Sequence, residues 1–120
     1  MNGFVDEIGR AMLDVSLSAT RNGNRTLLRV WVDTAFNGGL VVPQQIVANL
    51  GLRESTTTEA ILADGKCVNL AMYTCFLDWF GGCYRTQVVA NDGEFALLGT
   101  MLLADRDLTI SYRRKSVVLE

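Results

Sequence analysis

The sequence predicts an all-β domain that closes into a barrel and carries one or two short helices. Short apolar stretches are separated by turn residues every 8 to 12 positions or so, a spacing that is typical of β-barrels. The chain has 120 residues, of which 49% are hydrophobic and 20% charged. That length and composition indicate one globular domain over residues 1–120, with a core region of about 11–119.

The first predicted hairpin lies at residues 11–32. Residues 11–19 alternate between apolar and polar side chains, and this period of two predicts a half-buried strand. Asn22 and Gly23 form the expected turn, and residues 26–32 return as the partner strand. Asp33 therefore stands at the end of the hairpin.

A short helix is predicted after a strand over residues 40–42. Pro43 suits the first turn of a helix, Ile46, Val47 and Leu50 recur at helical spacing, and Gly51 ends the helix. Further along the chain, the pattern predicts a loop at 55–58, strands at 59–62, 67–79, 83–90 and 95–98, turns at 63–66, 81–82 and 91–93, a short helix at 100–104, and a terminal hairpin of strands 108–112 and 117–119.

Charge and composition exclude several function classes. The formal net charge of −2 and an isoelectric point near 5.1 argue against a nucleic-acid-binding surface. There is no apolar run long enough to span a membrane, and Asp6, Glu7 and Arg10 stand where a signal peptide needs an apolar segment. We therefore expect a cytoplasmic protein that binds neither a membrane nor nucleic acid.

The cysteine and histidine content limits the possible chemistry. Cys67, Cys75 and Cys83 are odd in number, which favours reduced thiols over a disulfide framework. The chain has no histidine and no Cys-x-x-Cys pair, so we expect no metal site and no cofactor. The same absence removes the Ser-His and Cys-His nucleophiles. If the protein is a hydrolase, carboxylates must carry the proton transfers.

Asp33 is the carboxylate in the best setting for that chemistry, because it follows an apolar strand. Hydrolysis of a peptide bond by carboxylates needs two of them close together and sharing one proton. One chain offers a single such group, and a two-fold axis beside Asp33 would supply the second. The active site of such a hydrolase would then form only when two chains dimerise.

Two motifs together strengthen this prediction. Asp33-Thr34-Ala35 follows the strand, and Leu97-Leu98-Gly99 precedes a short helix about 65 residues later. This pairing resembles the retropepsin-like aspartic proteases of the bacterial single-domain type, over roughly residues 11–119. The resemblance implies a homodimeric aspartic endopeptidase that cleaves peptide or protein substrates.

The resemblance also implies roles for individual residues. Asp33 is the catalytic carboxylate, Thr34 bonds to the partner's loop across the axis, and Ala35 completes the catalytic triplet. The backbone of Ala35, Asn37 and Gly38 binds the substrate main chain. The remaining implied positions are a flap tip at Ala63, Asp64 and Gly65, active-site support from Leu97, Leu98 and Gly99, and a dimer sheet built from the terminal segments 1–12 and 108–120.

Ala35 departs from the family pattern, which has Gly or, less commonly, a close variant at that position. Its methyl group can crowd the paired carboxylates or require a backbone angle that alanine tolerates poorly. One alternative is therefore a dimer of the same fold that binds peptides or protein partners without cutting them. A second alternative comes from residues 41–52, which resemble the strand-Pro-helix-Leu-Gly unit of AbrB-type swapped-hairpin DNA-binding domains, although only Arg53 is near to contact phosphate.

Overall fold

Ten strands and two short helices make up the chain, which a computed structural model describes over residues 1–120. Neither helix is long and apolar enough to cross a membrane. In chain order the elements are β1 (Asn2–Val5), β2 (Ala11–Ser18), β3 (Thr26–Val32), β4 (Leu40–Pro43), α1 (Gln44–Leu50), β5 (Arg53–Ile61), β6 (Cys67–Trp79), β7 (Gly82–Asn91), β8 (Ala96–Leu98), α2 (Thr100–Leu103), β9 (Leu108–Ser111) and β10 (Ser116–Leu119).

Six of the strands form a closed ring. The hydrogen-bonded order β6–β7–β4–β8–β3–β2 returns to its start because β2 also pairs with β6, at Ser16–Asp78, Leu17–Leu77 and Ser18–Phe76. Strand β5 extends β6 beyond the ring, and β1, β10 and β9 extend β2 on the other side. The all-β barrel with two short helices that the sequence predicts is confirmed.

Alternation along the strands fills the barrel. Leu13, Val15 and Leu17 of β2 point inward and are at most 2% exposed. They meet inward residues of the other barrel strands, such as Val30 and Leu98, in one continuous apolar core. Burying a side chain of this size stabilises the fold by about 1.5 to 3 kcal/mol. No buried side-chain nitrogen or oxygen lacks a hydrogen-bond partner.

The helix α1 follows the predicted pattern with a one-residue shift. Pro43 is its N-cap, with an extended ψ of 141°, so the helix begins at Gln44 rather than at the proline. Gly51 ends the helix in the left-handed conformation, with φ of 67°. Strand β4 lies inside the closed barrel between β7 and β8. The AbrB-type reading of residues 41–52 is therefore wrong, because these residues are part of a single-chain barrel.

Two predicted features need correction. Residues 55–58, expected as a loop, lie within β5 and pair with β6, for example Thr57 with Ala71 and Thr58 with Leu70. Their polarity indicated a loop, but threonine is β-branched and suits a strand whose two faces are both solvated. The second correction concerns β1, whose residues are expected from the sequence only as part of a sheet between two chains. It pairs with β2 and β10, and Val5 reaches the core.

The terminal segments, expected to build a dimer sheet, already form a sheet within the chain. Strand β1 lies between β2 and β10, and β10 lies between β1 and β9. Both edges of β1 and of β10 are therefore occupied. Among the terminal strands, only the outer edge of β9 is open to another chain.

Candidate active site

Asp33 lies where the chain crosses from β3 to β4. Strand β8 runs between these two strands, parallel to β3 and antiparallel to β4, so that Leu97 pairs with both Trp31 and Val41. Residues 33–39 must therefore pass across the end of β8. We call these residues the Asp33 loop.

Backbone hydrogen bonds hold the Asp33 loop against the end of β8 and the start of α2. The loop donates once to this segment and accepts three times from it, so its position depends on the chain about 65 residues downstream. The bonds run from Asp33 N–H to Leu98 O (2.9 Å), from Gly99 N–H to Gly39 O (2.7 Å), from Thr100 N–H to Phe36 O (2.8 Å) and from Met101 N–H to Gly38 O (3.1 Å).

The Asp33 carboxylate is oriented by its own loop. Its Oδ1 accepts a hydrogen bond from the Ala35 N–H at 3.0 Å, and the Asp33 carbonyl accepts one from the Phe36 N–H at 3.2 Å. Ala35 is not among the residues with positive φ, so its methyl group causes no backbone strain. Asp33 is half-buried, whereas Thr34 and Ala35 are exposed on the loop surface.

Gly99 is required by the close approach of the Asp33 loop. A Cβ atom at this position would collide with the Gly38 carbonyl oxygen, and would lie 2.5 Å from Phe36 Cδ2 and 2.6 Å from the Phe36 carbonyl oxygen. Leu98 before it is fully buried, and Leu97 is half-buried. The Leu97-Leu98-Gly99 motif thus anchors the loop, with Leu98 in the core and Gly99 leaving room for the loop backbone.

A cleft of about 680 Å³ lies beside the Asp33 loop, within the range of small-ligand and peptide sites. The loop and β4 form one wall, and β5, β6 and β7 form the other. Of the residues proposed from the sequence, Gly38 lines this cleft. The fifteen lining residues are Phe36, Gly38, Gly39, Leu40, Val41, Thr58, Glu59, Ala60, Leu70, Met72, Arg85, Thr86, Gln87, Val89 and Met101.

Sequence reasoning missed most of the cleft wall. Met72 and Val89 are cross-strand partners on β6 and β7, and Leu70 precedes Met72 by two residues on the same face. Alternation along each strand assigns these residues to one face, but only the pairing of β6 with β7 and β5 shows which face borders the loop. Alternation along the sequence therefore does not identify the cleft wall unless the strand register is known.

The tip of the β5–β6 hairpin forms the predicted turn. Gly65 has φ of +87°, and the Leu62 N–H donates to the Lys66 carbonyl at 2.8 Å. The Asp64 carboxylate accepts from the Lys66 N–H at 3.0 Å. Ala63, Asp64 and Gly65 are all exposed and do not line the cleft.

Asn37 is also exposed and outside the cleft wall. The structure therefore brings Asp33, Thr34 and Ala35 together with Leu98 and Gly99, whereas the hairpin tip and the exposed Asn37 do not line the cleft.

The cysteines lie outside the Asp33 loop. All three are free, and Cys75 is fully buried on the inner side of β6. Burial raises the pKa of the Cys75 thiol to about 12, so the group is a neutral thiol in the folded protein at ordinary pH. The structure contains no group of three or more His, Cys, Asp or Glu side chains arranged to hold a metal ion.

Solved structures share this architecture. A retropepsin-like aspartic protease from Rickettsia conorii superposes with a TM-score of 0.64, at 16% identity, over 99% of this chain and 88% of that chain. The protease of EIAV, solved in complex with the inhibitor HBY-793, superposes with a TM-score of 0.63, at 20% identity, over 83% of this chain and 90% of that chain. The chain has the fold of the retropepsin-like aspartic proteases.

The retropepsin-like fold that the Asp33-Thr34-Ala35 and Leu97-Leu98-Gly99 motifs predict is therefore confirmed over most of the chain. No protein-family model and no curated protein sequence matches the chain. At these low identities the similarity concerns the arrangement of the strands.

Proposed function

We propose that the protein is an aspartic endopeptidase, active as a homodimer, in which two Asp33 carboxylates activate a water molecule. The observation that carries this proposal is the setting of Asp33. Its loop is bonded to the end of β8, and its carboxylate accepts a hydrogen bond from the Ala35 N–H. A carboxylate fixed in this way, beside a cleft in a retropepsin-like fold, is suited to act on a bound peptide.

Dimerisation follows from the number of such carboxylates. Each chain has one Asp33 loop, and no other acidic residue lies in residues 33–39. A two-fold axis beside the loop would bring a second Asp33 into contact range. Thr34 is exposed next to the carboxylate, and we propose that its hydroxyl bonds to the partner's loop.

The chemistry requires the two carboxylates to share one proton, because two like charges at short distance do not both ionise. The ionised carboxylate takes a proton from water, and the resulting hydroxide attacks the scissile carbonyl carbon. The protonated carboxylate donates to the carbonyl oxygen. Breakdown of the tetrahedral intermediate then breaks the C–N bond as the amine leaves with a proton. No metal or cofactor takes part in this scheme.

Substrate binding is assigned to the cleft and its surroundings. We propose that the backbone of Ala35, Asn37 and Gly38 binds the substrate main chain, and that the hairpin tip at Ala63–Gly65 closes as a flap. The mixed apolar wall of the cleft suits an extended peptide. The acidic net charge disfavours nucleic acid as a partner, and three free cysteines suit a reducing, cytoplasmic location.

A second candidate function rests on Ala35. Its methyl group is exposed beside the Asp33 carboxylate, on the surface that we propose faces the partner chain. A methyl group there can hold the two carboxylates too far apart to share a proton. The chain would then be a dimer that binds peptides without hydrolysing them.

The test is cleavage of a diverse peptide mixture from acidic to neutral pH by wild-type protein and by the Asp33→Asn variant. Asp92→Asn is the matched control, because Asp92 is exposed in the turn between β7 and β8. We expect cuts with wild type and Asp92→Asn, none with Asp33→Asn, and activity per chain that falls on dilution. A dimer in solution that binds peptides without cutting them at any pH favours the second candidate.

A further inference from the structure

A second depression, about 450 Å³ in volume, adjoins the cleft at Arg85. Three arginines, Arg21, Arg53 and Arg85, line it, and its wall contains no carboxylate. We call it the basic depression. Its remaining lining residues are Ala19, Thr20, Gly51, Thr74 and Phe76. Three of the eleven basic residues of a chain with net charge −2 thus converge on one small surface.

The charges of these arginines are not neutralised within the chain. The four ion pairs of the structure involve other basic residues, namely Arg10, Arg25, Arg29 and Lys66. Arg21 stacks over the Phe76 ring at 5.0 Å and donates to the Cys83 carbonyl at 3.1 Å, which holds its guanidinium at the rim. The basic depression therefore presents free donors to an external anion.

The strand register makes the basic depression continuous with the cleft. On one face of β6 and β7 the successive cross-strand pairs are Met72–Val89, Thr74–Gln87 and Phe76–Arg85. The first pair lines the cleft, the third contributes to the basic depression, and Gln87 Nε2 donates to Thr74 Oγ1 at 3.1 Å between them. Arg85 lies four positions before Val89 on the strand, a distance of about 13 Å.

We propose that the basic depression binds acidic side chains of the same peptide that occupies the cleft. The inference rests on the proposed function and adds a substrate class to it: extended peptides with acidic residues several positions away from the scissile bond. An extended peptide advances by about 3.3 Å per residue, so a side chain roughly four residues from one that contacts Val89 reaches Arg85, which lines both the cleft and the basic depression. In a dimer, the two-fold axis places one basic depression on each side of the cut.

The chemistry favours peptide carboxylates over nucleic acid. Arginine presents a planar fork of donors that matches a carboxylate. A nucleic-acid backbone carries a charge at every step and needs an extended basic stripe, whereas these three cations are confined to one small depression that shares Arg85 with the cleft. The cleft itself is largely apolar and leads directly to the arginines.

The experiment compares two fluorescein-labelled peptides with the same apolar centre. One carries glutamates at roughly the third to fifth positions on each side of the centre, and the other carries glutamines there. Binding is measured by fluorescence anisotropy in the Asp33→Asn background, and cleavage is measured with Asp33 intact. The test variant is Arg53→Gln with Arg85→Gln, and the matched control is Arg113→Gln, an exposed arginine in the turn between β9 and β10.

We expect the glutamate peptide to bind and to be cleaved about threefold to tenfold better than the glutamine peptide, since each exposed ion pair contributes modestly. The double variant should abolish this preference, the Arg113→Gln control should keep it, and added salt should reduce it. Cleavage of both peptides without an acidic preference overturns the inference and leaves the protease proposal standing. Binding with the expected preference, but no cleavage, refutes the protease and supports the basic depression.

Discussion

Substitution of Gly99 by alanine tests whether the close approach of β8 and the Asp33 loop organises the site. The new Cβ would meet backbone at the Gly38 and Phe36 carbonyl oxygens, and backbone cannot move away as a flexible side chain can. Overpacking of this kind costs about 1 to 3 kcal/mol. The shift would also strain the hydrogen bonds from Gly99, Thr100 and Met101 to the loop, each of which is worth about 1 kcal/mol.

Overpacking, together with a weakening of these three bonds by about 1 kcal/mol in total, gives a loss of about 2 to 4 kcal/mol. For a chain of 120 residues, each kcal/mol lowers the Tm by about 4 °C, so we expect a decrease of roughly 8 to 16 °C. Thermal unfolding followed by circular dichroism measures this. The matched control is Gly39→Ala in the same loop, where a Cβ would meet its nearest atom, of Leu102, at 3.8 Å. Equal Tm values for the two variants would refute the close-approach argument.

Three further predictions concern the site and the core. Ala35→Gly should keep the backbone hydrogen bond to Asp33 and, by removing a methyl group beside the partner carboxylate, should raise kcat/KM in the peptide assay. Cys75 should resist a thiol reagent near neutral pH until the protein unfolds, whereas exposed Cys67 should react at once. Burial raises the pKa of the Cys75 thiol from 9.0 to about 12, so its contribution to the free energy of unfolding is complete below pH 9.0 and is lost as the pH rises toward 12. Alkaline unfolding followed by fluorescence checks this loss. Leu98→Ala should lower the free energy of unfolding by about 2 to 5 kcal/mol in urea titrations, whereas Leu27→Ala, at a side chain that is 70% exposed, should leave it nearly unchanged.

The local alternation of apolar and polar residues was sufficient to predict the bounds of strands that have one buried face. Strand β3 matches its prediction over residues 26–32, because apolar Leu28, Val30 and Val32 alternate with exposed neighbours. Strand β6 matches over residues 67–79, where glycine-containing turns bound it on both sides. The position of Asp33 was predicted in the same way, because a carboxylate directly after a buried strand lies where that strand leaves the barrel.

Other features depend on contacts that are distant in sequence. Residues 55–58 read as a loop because β5 has no buried face, and its strand character comes from pairing with β6. The requirement for glycine at position 99 comes from the Phe36 and Gly38 carbonyls more than 60 residues upstream. Arg21, Arg53 and Arg85 likewise converge because β2, β5 and β7 all pair with β6, and no local pattern shows these pairings.

The terminal strands limit where a dimer interface can form. Strand β10 pairs with β1 and β9, and its Val117 and Leu119 side chains are fully buried in the chain's own core. Removing residues 117–120 would therefore unfold part of the monomer, and a loss of association after that truncation would not identify the interface. Open strand edges remain at β9 and at β5. Of the axes that these edges allow, only one next to Thr34 would also pair two Asp33 carboxylates. The proposed chemistry therefore defines the expected interface more closely than the open strand edges do.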